Sequence, residues 1–149
     1  MSKREVELFI FDIYVAILKI EYVAKDFSNI QDLLHDFKSW DTIIREFEII
    51  GEATKYLINQ ELLNKNFQIV VDFRNLIIHE YFGIDPNEVD NIIKNDLGNF
   101  KKMILGLINN ITTDLKNELI DATIEDNKYL PFIVQALQKL IDPLPQQHP

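Results

Sequence analysis

The sequence predicts an all-α protein, an antiparallel helical bundle with a short helical appendage at its C-terminal end. Apolar residues recur at intervals of three and four along most of the chain, which is the spacing of one face of a helix. Only four glycines and five prolines occur among the 149 residues, so few positions interrupt a helix. The apolar fraction of 47% is typical of a folded domain with a core of its own.

The first predicted helix runs from about Val6 to Ala24, and it is apolar around nearly all of its circumference. One face carries Val6, Ile10, Ile13, Ile17, Ile20 and Ala24, and the other faces carry Phe9, Phe11, Tyr14, Leu18 and Tyr22. A helix with this pattern is buried on more than one side. In a chain this short, a second subunit can supply one of those sides.

Two further helices follow in the N-terminal half. Ser28 and Gln31 form a possible capping box for a short helix that ends near Phe37. The next helix is expected to begin near Asp41, with its inward face formed by Ile43, Phe47, Ile50 and Leu57. We expect its polar line to be a solvated, salt-bridged face; this line consists of Arg45, Glu48, Glu52 and Lys55.

A fourth helix is predicted over residues 68–82 and ends before Gly83. A fifth helix begins at Asp85, because an N-cap aspartate is followed by Pro86 in the first turn and by Glu88. The apolar face of this fifth helix consists of Val89, Ile93, Leu97, Phe100, Ile104, Leu107 and Ile111. The pattern weakens after Ile111, and a short closing helix is expected around Leu130, Ile133, Leu137 and Leu140. We therefore divide the chain into a helical domain at 1–111 and an extension at 112–149, whose proline-rich tail we expect to be mobile.

Composition excludes several classes of function. With no cysteine, the chain has no disulfide, no cysteine-ligated metal and no thiol nucleophile. The net charge of −9 argues against a broad basic surface for nucleic acid, so any such role requires a local site. No run of about 18 apolar residues is long enough to span a membrane, and the N-terminus lacks a signal-peptide cleavage pattern. We expect a cytoplasmic protein that uses neither a cofactor nor a metal.

The stretch VDFRNLIIHEYFGID holds the residues best suited to chemistry. On an ideal helix Asp72, Asn75 and His79 share one face, an arrangement that can orient a histidine as general base. Arg74 lies about 140° away from His79, so the two converge poorly unless the last turn distorts or two copies of the helix face each other. The alternative is a structural role, in which the arginine pairs with Glu48 or Glu52 and the histidine complements the helix dipole. His35 and His148 are expected at the surface.

At these residues the sequence resembles the HepT-like ribonuclease toxins, a branch of the HEPN superfamily of helical ribonucleases. RNLIIHEYF is similar to their R-x4-H-x-Y motif, and residues 41–57, with the I-G-E-A run at 50–53, resemble the helix before it. The G-I-D run at 83–85 also matches, whereas the stretch NFQIVVDF replaces the Pro-Trp pair that often precedes the arginine. The resemblance covers roughly residues 4–111.

The resemblance implies a helical homodimer whose paired motifs line a cleft and which cleaves RNA without a metal. It also implies a minimal nucleotidyltransferase as the antitoxin partner. On the matching positions, Arg74 and His79 are the catalytic pair, Asn75 gives polar support, and Tyr81 is the acceptor of an AMP group that silences the toxin.

The leading prediction is therefore a metal-independent endoribonuclease toxin. The alternative is a non-catalytic helical dimer that binds a nucleotide or the nucleotidyltransferase partner, which the acidic balance of the chain favours. A third possibility is a structural interaction domain in which Arg74 is a core ion pair. RNA cleavage separates the first hypothesis from the second, and a neighbouring nucleotidyltransferase gene separates both from the third.

Overall fold

The computed structural model describes residues 3–63, 70–72 and 83–141 of the chain. Helices in these ranges are α1 (Lys3–Ala24), α2 (Ile30–His35), α3 (Phe37–Asn59), α4 (Pro86–Asn91), α5 (Leu97–Asn109), α6 (Thr113–Asp126) and α7 (Pro131–Gln138). A π-helical turn at Ile92–Asp96 joins α4 to α5. These ranges contain no β-strand, so the predicted all-α fold class is confirmed.

Helix α1 is the centre of the bundle. It packs most extensively against α3 and also contacts α5, α6 and α7. Phe11, Ile13, Ile17 and Ile20 are fully buried, which confirms that the helix is covered on more than one side. The helices that cover it belong to the same chain. In particular, α6 and α7 contact α1, whereas the sequence had left open that a second subunit covers one of its sides. The apolar circumference of α1 therefore gives no argument for a dimer.

The caps of α2 and α3 differ from the prediction. Asn29, and not Ser28, caps α2: its Oδ1 accepts a hydrogen bond from the backbone N–H of Asp32 at 2.9 Å. Asp36 ends α2 and also caps α3, since its Oδ1 accepts from the N–H of Ser39 at 3.1 Å. A side-chain oxygen that satisfies a free N–H of the first turn fixes where a helix begins. Helix α3 therefore starts at Phe37, four residues before the expected position.

The start of α4 agrees with the prediction. Asp85 is its N-cap and accepts a hydrogen bond from the N–H of Asn87 at 2.9 Å, and Pro86 occupies the first turn. Of the predicted apolar face, Val89, Leu97, Phe100, Ile104 and Ile111 are buried. Ile93 is only half-buried, and it lies in the π-helical turn, where the helical repeat is interrupted.

The extension forms two helices, of which only α7 was expected. Residues 113–126 are polar in sequence but form α6, whose inward residues are Lys116, Leu119, Ile120 and Thr123. The amine of buried Lys116 donates to Asn109 Oδ1 at 3.3 Å, which ties α6 to the end of α5. In α7, Ile133 and Leu137 are buried, as predicted. These apolar residues join the same core as α1, while the predicted mobile tail at 142–149 lies outside the described residues.

Candidate functional site

The four residues of the predicted site, Arg74, Asn75, His79 and Tyr81, lie outside the described residues. The described positions on either side are anchored in the protein. Val71 is buried and helical on one side, and Ile84 is buried on the other side, directly before the Asp85 cap. Asp72, which was expected to share a face with His79, is helical and exposed. The roles of Arg74, Asn75, His79 and Tyr81 stay predictions.

A cleft of about 430 Å³ lies between α1 and α3 in the described part of the chain. Helix α1 contributes Phe9 and Asp12, one turn apart, and the ring of Phe9 stacks on Tyr56 of α3 with centroids 4.4 Å apart. Helix α3 contributes residues at the spacing of one face, namely Arg45, Glu48, Ile49, Glu52 and Ala53. We call this space the α1–α3 cleft. It has an apolar floor and a charged rim.

The predicted polar line on α3 supplies much of this rim. Arg45, Glu52 and Lys55 are exposed and Glu48 is half-buried, so the line is largely solvated, as expected. Three of its four members also line the cleft, which sequence analysis missed. The available signal was the pair Phe9 and Asp12 at i and i+3 on the first helix, an aromatic and a carboxylate that face the same neighbour.

The electrostatics of the α1–α3 cleft are acidic. Three carboxylates and one guanidinium line it, giving a net formal charge of −2. Asp12 keeps part of its surface in water, yet loss of solvent around it raises its pKa, and the negative charge of Asp126 raises this pKa further. Asp126 is the last residue of α6, so the extension lies close enough to the rim to influence it. An excess of carboxylates does not favour a phosphate, so the cleft alone is a poor RNA site.

A buried carboxylate, Glu46, lies next to Arg45 in sequence. Glu46 is 6% exposed, and desolvation raises its pKa even though the charges of Lys19 and Arg45 act in the opposite direction. The amine of Lys19 lies 4.0 Å from Glu46 Oε1, a long distance for an ion pair. Desolvation therefore outweighs pairing at this position.

His35 is exposed in the last turn of α2, as expected, and His148 lies outside the described residues. Across the described ranges, no group of three histidine, aspartate or glutamate side chains is arranged to hold a metal ion. Among the helices described, none is both long and apolar enough to cross a membrane.

Comparison with known proteins decides the family. A family model described as "Ribonuclease HepT-like" matches residues 13–107, well over half of the chain. The chain belongs to the HepT-like ribonuclease family. This confirms the resemblance seen in the R-x4-H-x-Y motif and gives the chain a ribonuclease function with RNA as substrate.

Relatives named as ribonucleases support the same assignment. A "Putative RNase" of Methanocaldococcus jannaschii is 34% identical over 107 residues, which cover 70% of this chain and 97% of the relative. A second protein with that name from the same organism is 31% identical over 123 residues, or 80% of this chain and 100% of the relative. A "Probable ribonuclease HepT" of Thermococcus cleftensis is 32% identical over 108 residues, which cover 68% of this chain and 97% of the relative. No solved structure matches the chain.

Proposed function

We propose that this HepT-like ribonuclease is a metal-independent endoribonuclease, and that it acts as the toxin of a cytoplasmic toxin–antitoxin pair. The observation that carries the proposal is the R-x4-H-x-Y motif from Arg74 to Tyr81 in a chain that belongs to a ribonuclease family. The absence of cysteine from the sequence supports a mechanism that depends on an imidazole and a guanidinium.

In the proposed mechanism, His79 removes the proton from a ribose 2′-hydroxyl. The 2′-oxygen attacks the adjacent phosphorus and the bond to the 5′-oxygen of the next nucleotide breaks. That oxygen takes a proton from the protonated His79 and leaves as a hydroxyl group, and a 2′,3′-cyclic phosphate remains. Arg74 stabilises the charge that develops on the phosphoryl oxygens, and Asn75 supports the site by hydrogen bonding. General base catalysis of this kind contributes about 10²- to 10⁴-fold to the rate.

The proposed active species is a homodimer in which each site takes Arg74 from one copy and His79 from the other. The separation of about 140° between these residues on an ideal helix supports this arrangement. The proposed antitoxin is a minimal nucleotidyltransferase that transfers the AMP group of ATP to the phenolic oxygen of Tyr81 and releases pyrophosphate. An AMP group there adds bulk and negative charge within the motif, which opposes RNA binding.

The experiment that tests the catalytic proposal is cleavage of a single-stranded RNA by the purified, unmodified protein, with and without EDTA. We expect cleavage to be unaffected by EDTA and to fall at least about 10²-fold in His79→Ala and Arg74→Ala. His35→Ala is the matched control, because this exposed histidine lies on α2 and outside the motif. Cleavage that persists in both motif variants, or that stops with EDTA, would contradict the mechanism.

The second candidate function is a non-catalytic dimer that binds a nucleotide or the nucleotidyltransferase partner. The acidic α1–α3 cleft and the net charge of −9 favour it, because both oppose the approach of an RNA strand. The same assay decides between the two candidates. A folded protein that cleaves no RNA under any condition, while still binding the partner enzyme, supports the second.

A further inference from the structure

A second pocket, of about 300 Å³, lies at the end of α1, away from the residues of the α1–α3 cleft. Its walls come from the last turn of α1, the loop to α2, α2 itself, and the junction of α4 with the π-helical turn. We call it the end pocket. None of its lining residues belongs to the motif or to the polar line of α3.

Two helices face the end pocket with the same short pattern, which is an acidic residue, an apolar residue three positions later and a lysine after that. In α1 the acid is Glu21 and the lysine is Lys25. At the α4 junction the acid is Asp90, the apolar residue is Ile93 and the lysine is Lys94. Both lysines line the end pocket. Lys25 follows Glu21 by one turn of α1, and Lys94 lies in the π-helical turn, where its contact with Asp90 keeps the two side chains together.

The ion pairs around the end pocket leave one lysine without a carboxylate. Glu21 is bound by Lys101, whose amine lies 2.8 Å from Glu21 Oε1. Among the described residues Lys25 therefore has no acidic partner, and its amine lies over the ring of Tyr22, 4.1 Å from the centroid. Lys94 is held by Asp90 at 3.1 Å but is 61% exposed. The lining of the end pocket carries two lysines and two carboxylates, so it has no net formal charge, in a protein whose net charge is −9.

The apolar part of the end pocket includes the half-buried ring of Phe27 and the side chain of Ile93. Ile93 and Lys94 lie in the π-helical turn, and such turns are frequent at functional sites. An aromatic ring beside ammonium groups is the combination that binds a base and its phosphate in single-stranded nucleic acids.

From this arrangement we infer that the end pocket binds one nucleotide, with its phosphate on Lys25 and Lys94 and its base against Phe27. Either a free nucleoside monophosphate or one nucleotide of a single-stranded RNA has this chemistry. The site does not depend on the proposed catalytic residues, so nucleotide binding and RNA cleavage are measured separately.

Binding is tested with the full chain by isothermal titration calorimetry. The two probes are adenosine 5′-monophosphate and a single-stranded oligoribonucleotide with 2′-O-methyl groups, which lacks the hydroxyl needed for cleavage. We expect Lys25→Gln and Lys94→Gln each to weaken binding about tenfold or more, as for the loss of one charge-assisted hydrogen bond. Lys128→Gln is the matched control, since this exposed lysine of the extension does not line the pocket and pairs with Glu125.

A further variant is expected to change the affinity for the probes in the opposite direction. Asp90→Asn removes the carboxylate that holds Lys94, so we expect it to tighten binding of either probe, whereas general damage to the fold would weaken it. Binding of the monophosphate with this pattern identifies a free-nucleotide site, and binding of the oligoribonucleotide alone identifies a site for the RNA strand. Both results support the inference. No binding of either probe, or equal effects in Lys25→Gln and Lys128→Gln, would overturn it.

Discussion

Replacing Leu119 by alanine tests whether the extension is part of the same cooperative unit as the rest of the bundle. Leu119 lies on α6, is 0% exposed and belongs to the core that includes α1. A buried leucine replaced by alanine costs about 2–5 kcal/mol in the free energy of unfolding, through lost transfer energy and the cavity that remains. For a chain of this size each kcal/mol lowers Tm by about 2–4 °C, so we expect a decrease of about 4–20 °C.

The assay is urea and thermal unfolding of the whole chain, followed by circular dichroism. Leu57→Ala is the matched comparison, because Leu57 is also 0% exposed but lies on α3. We expect a single unfolding transition in both variants and decreases of similar size in the free energy of unfolding. Asp121→Ala, at an exposed position of α6, should change this free energy only slightly. Two separate transitions, with only the smaller one shifted by Leu119→Ala, would refute the shared core and make the extension an independent unit.

Two further predictions concern the buried carboxyl group of Glu46 and the modification of Tyr81. Burial raises the pKa of Glu46, so the folded state is favoured while this carboxyl group is protonated. The free energy of unfolding therefore falls as the pH rises through that pKa and the group becomes charged. As the pH is raised from 4 to 7.5, we expect the stability of Glu46→Gln to increase relative to that of the parent chain, as measured by urea unfolding. Glu125→Gln changes an exposed residue and should show no such increase. The second prediction is that co-expression with a minimal nucleotidyltransferase encoded beside this gene adds AMP to Tyr81, as located by mass spectrometry. Equal modification of Tyr81→Phe would show that another residue is the acceptor.

Local signals in the sequence were sufficient for some elements. The cap of α4 was predicted because an aspartate, a proline and the apolar repeat after them act within a few residues of one another. The burial of α1 on several sides was also predictable, since a helix with so little polar surface has few exposed faces available to it. Neither conclusion required knowledge of a distant part of the chain.

Other elements depend on contacts that a linear pattern does not contain. Helix α6 is polar over most of its length, and its few inward residues are buried only because α1 and α7 pack against it. The early start of α3 was missed because the sequence pattern assigned Phe37 to the end of the preceding helix, although this side chain is 69% exposed and Asp36 caps a new helix directly before it. The α1–α3 cleft was missed for a similar reason, since it combines residues from two helices that are separate in sequence.

The structure changes the argument for a dimer, because the surface of α1 that a second copy was free to cover is covered by the chain's own α6 and α7. The proposed dimer now depends on the angle between Arg74 and His79, and that angle makes a specific prediction. If each site takes one residue from each copy, a mixed dimer of Arg74→Ala and His79→Ala contains one intact site and one that lacks both residues. Random pairing of two inactive variants then restores about a quarter of the parent activity, because half of the dimers are mixed and each has one of two sites.

A second mixed dimer reverses the expectation. When an unaltered chain is paired with a chain that lacks both Arg74 and His79, neither shared site is complete, and the tagged and purified mixed dimer should be inactive. If instead each chain holds a whole site, this dimer keeps about half of the parent activity, and the first mixed dimer stays inactive. The two pairings give opposite results under the two arrangements, so activity in the second pairing alone would refute the shared site. That result would leave distortion of the last helical turn as the way in which Arg74 and His79 of one chain meet.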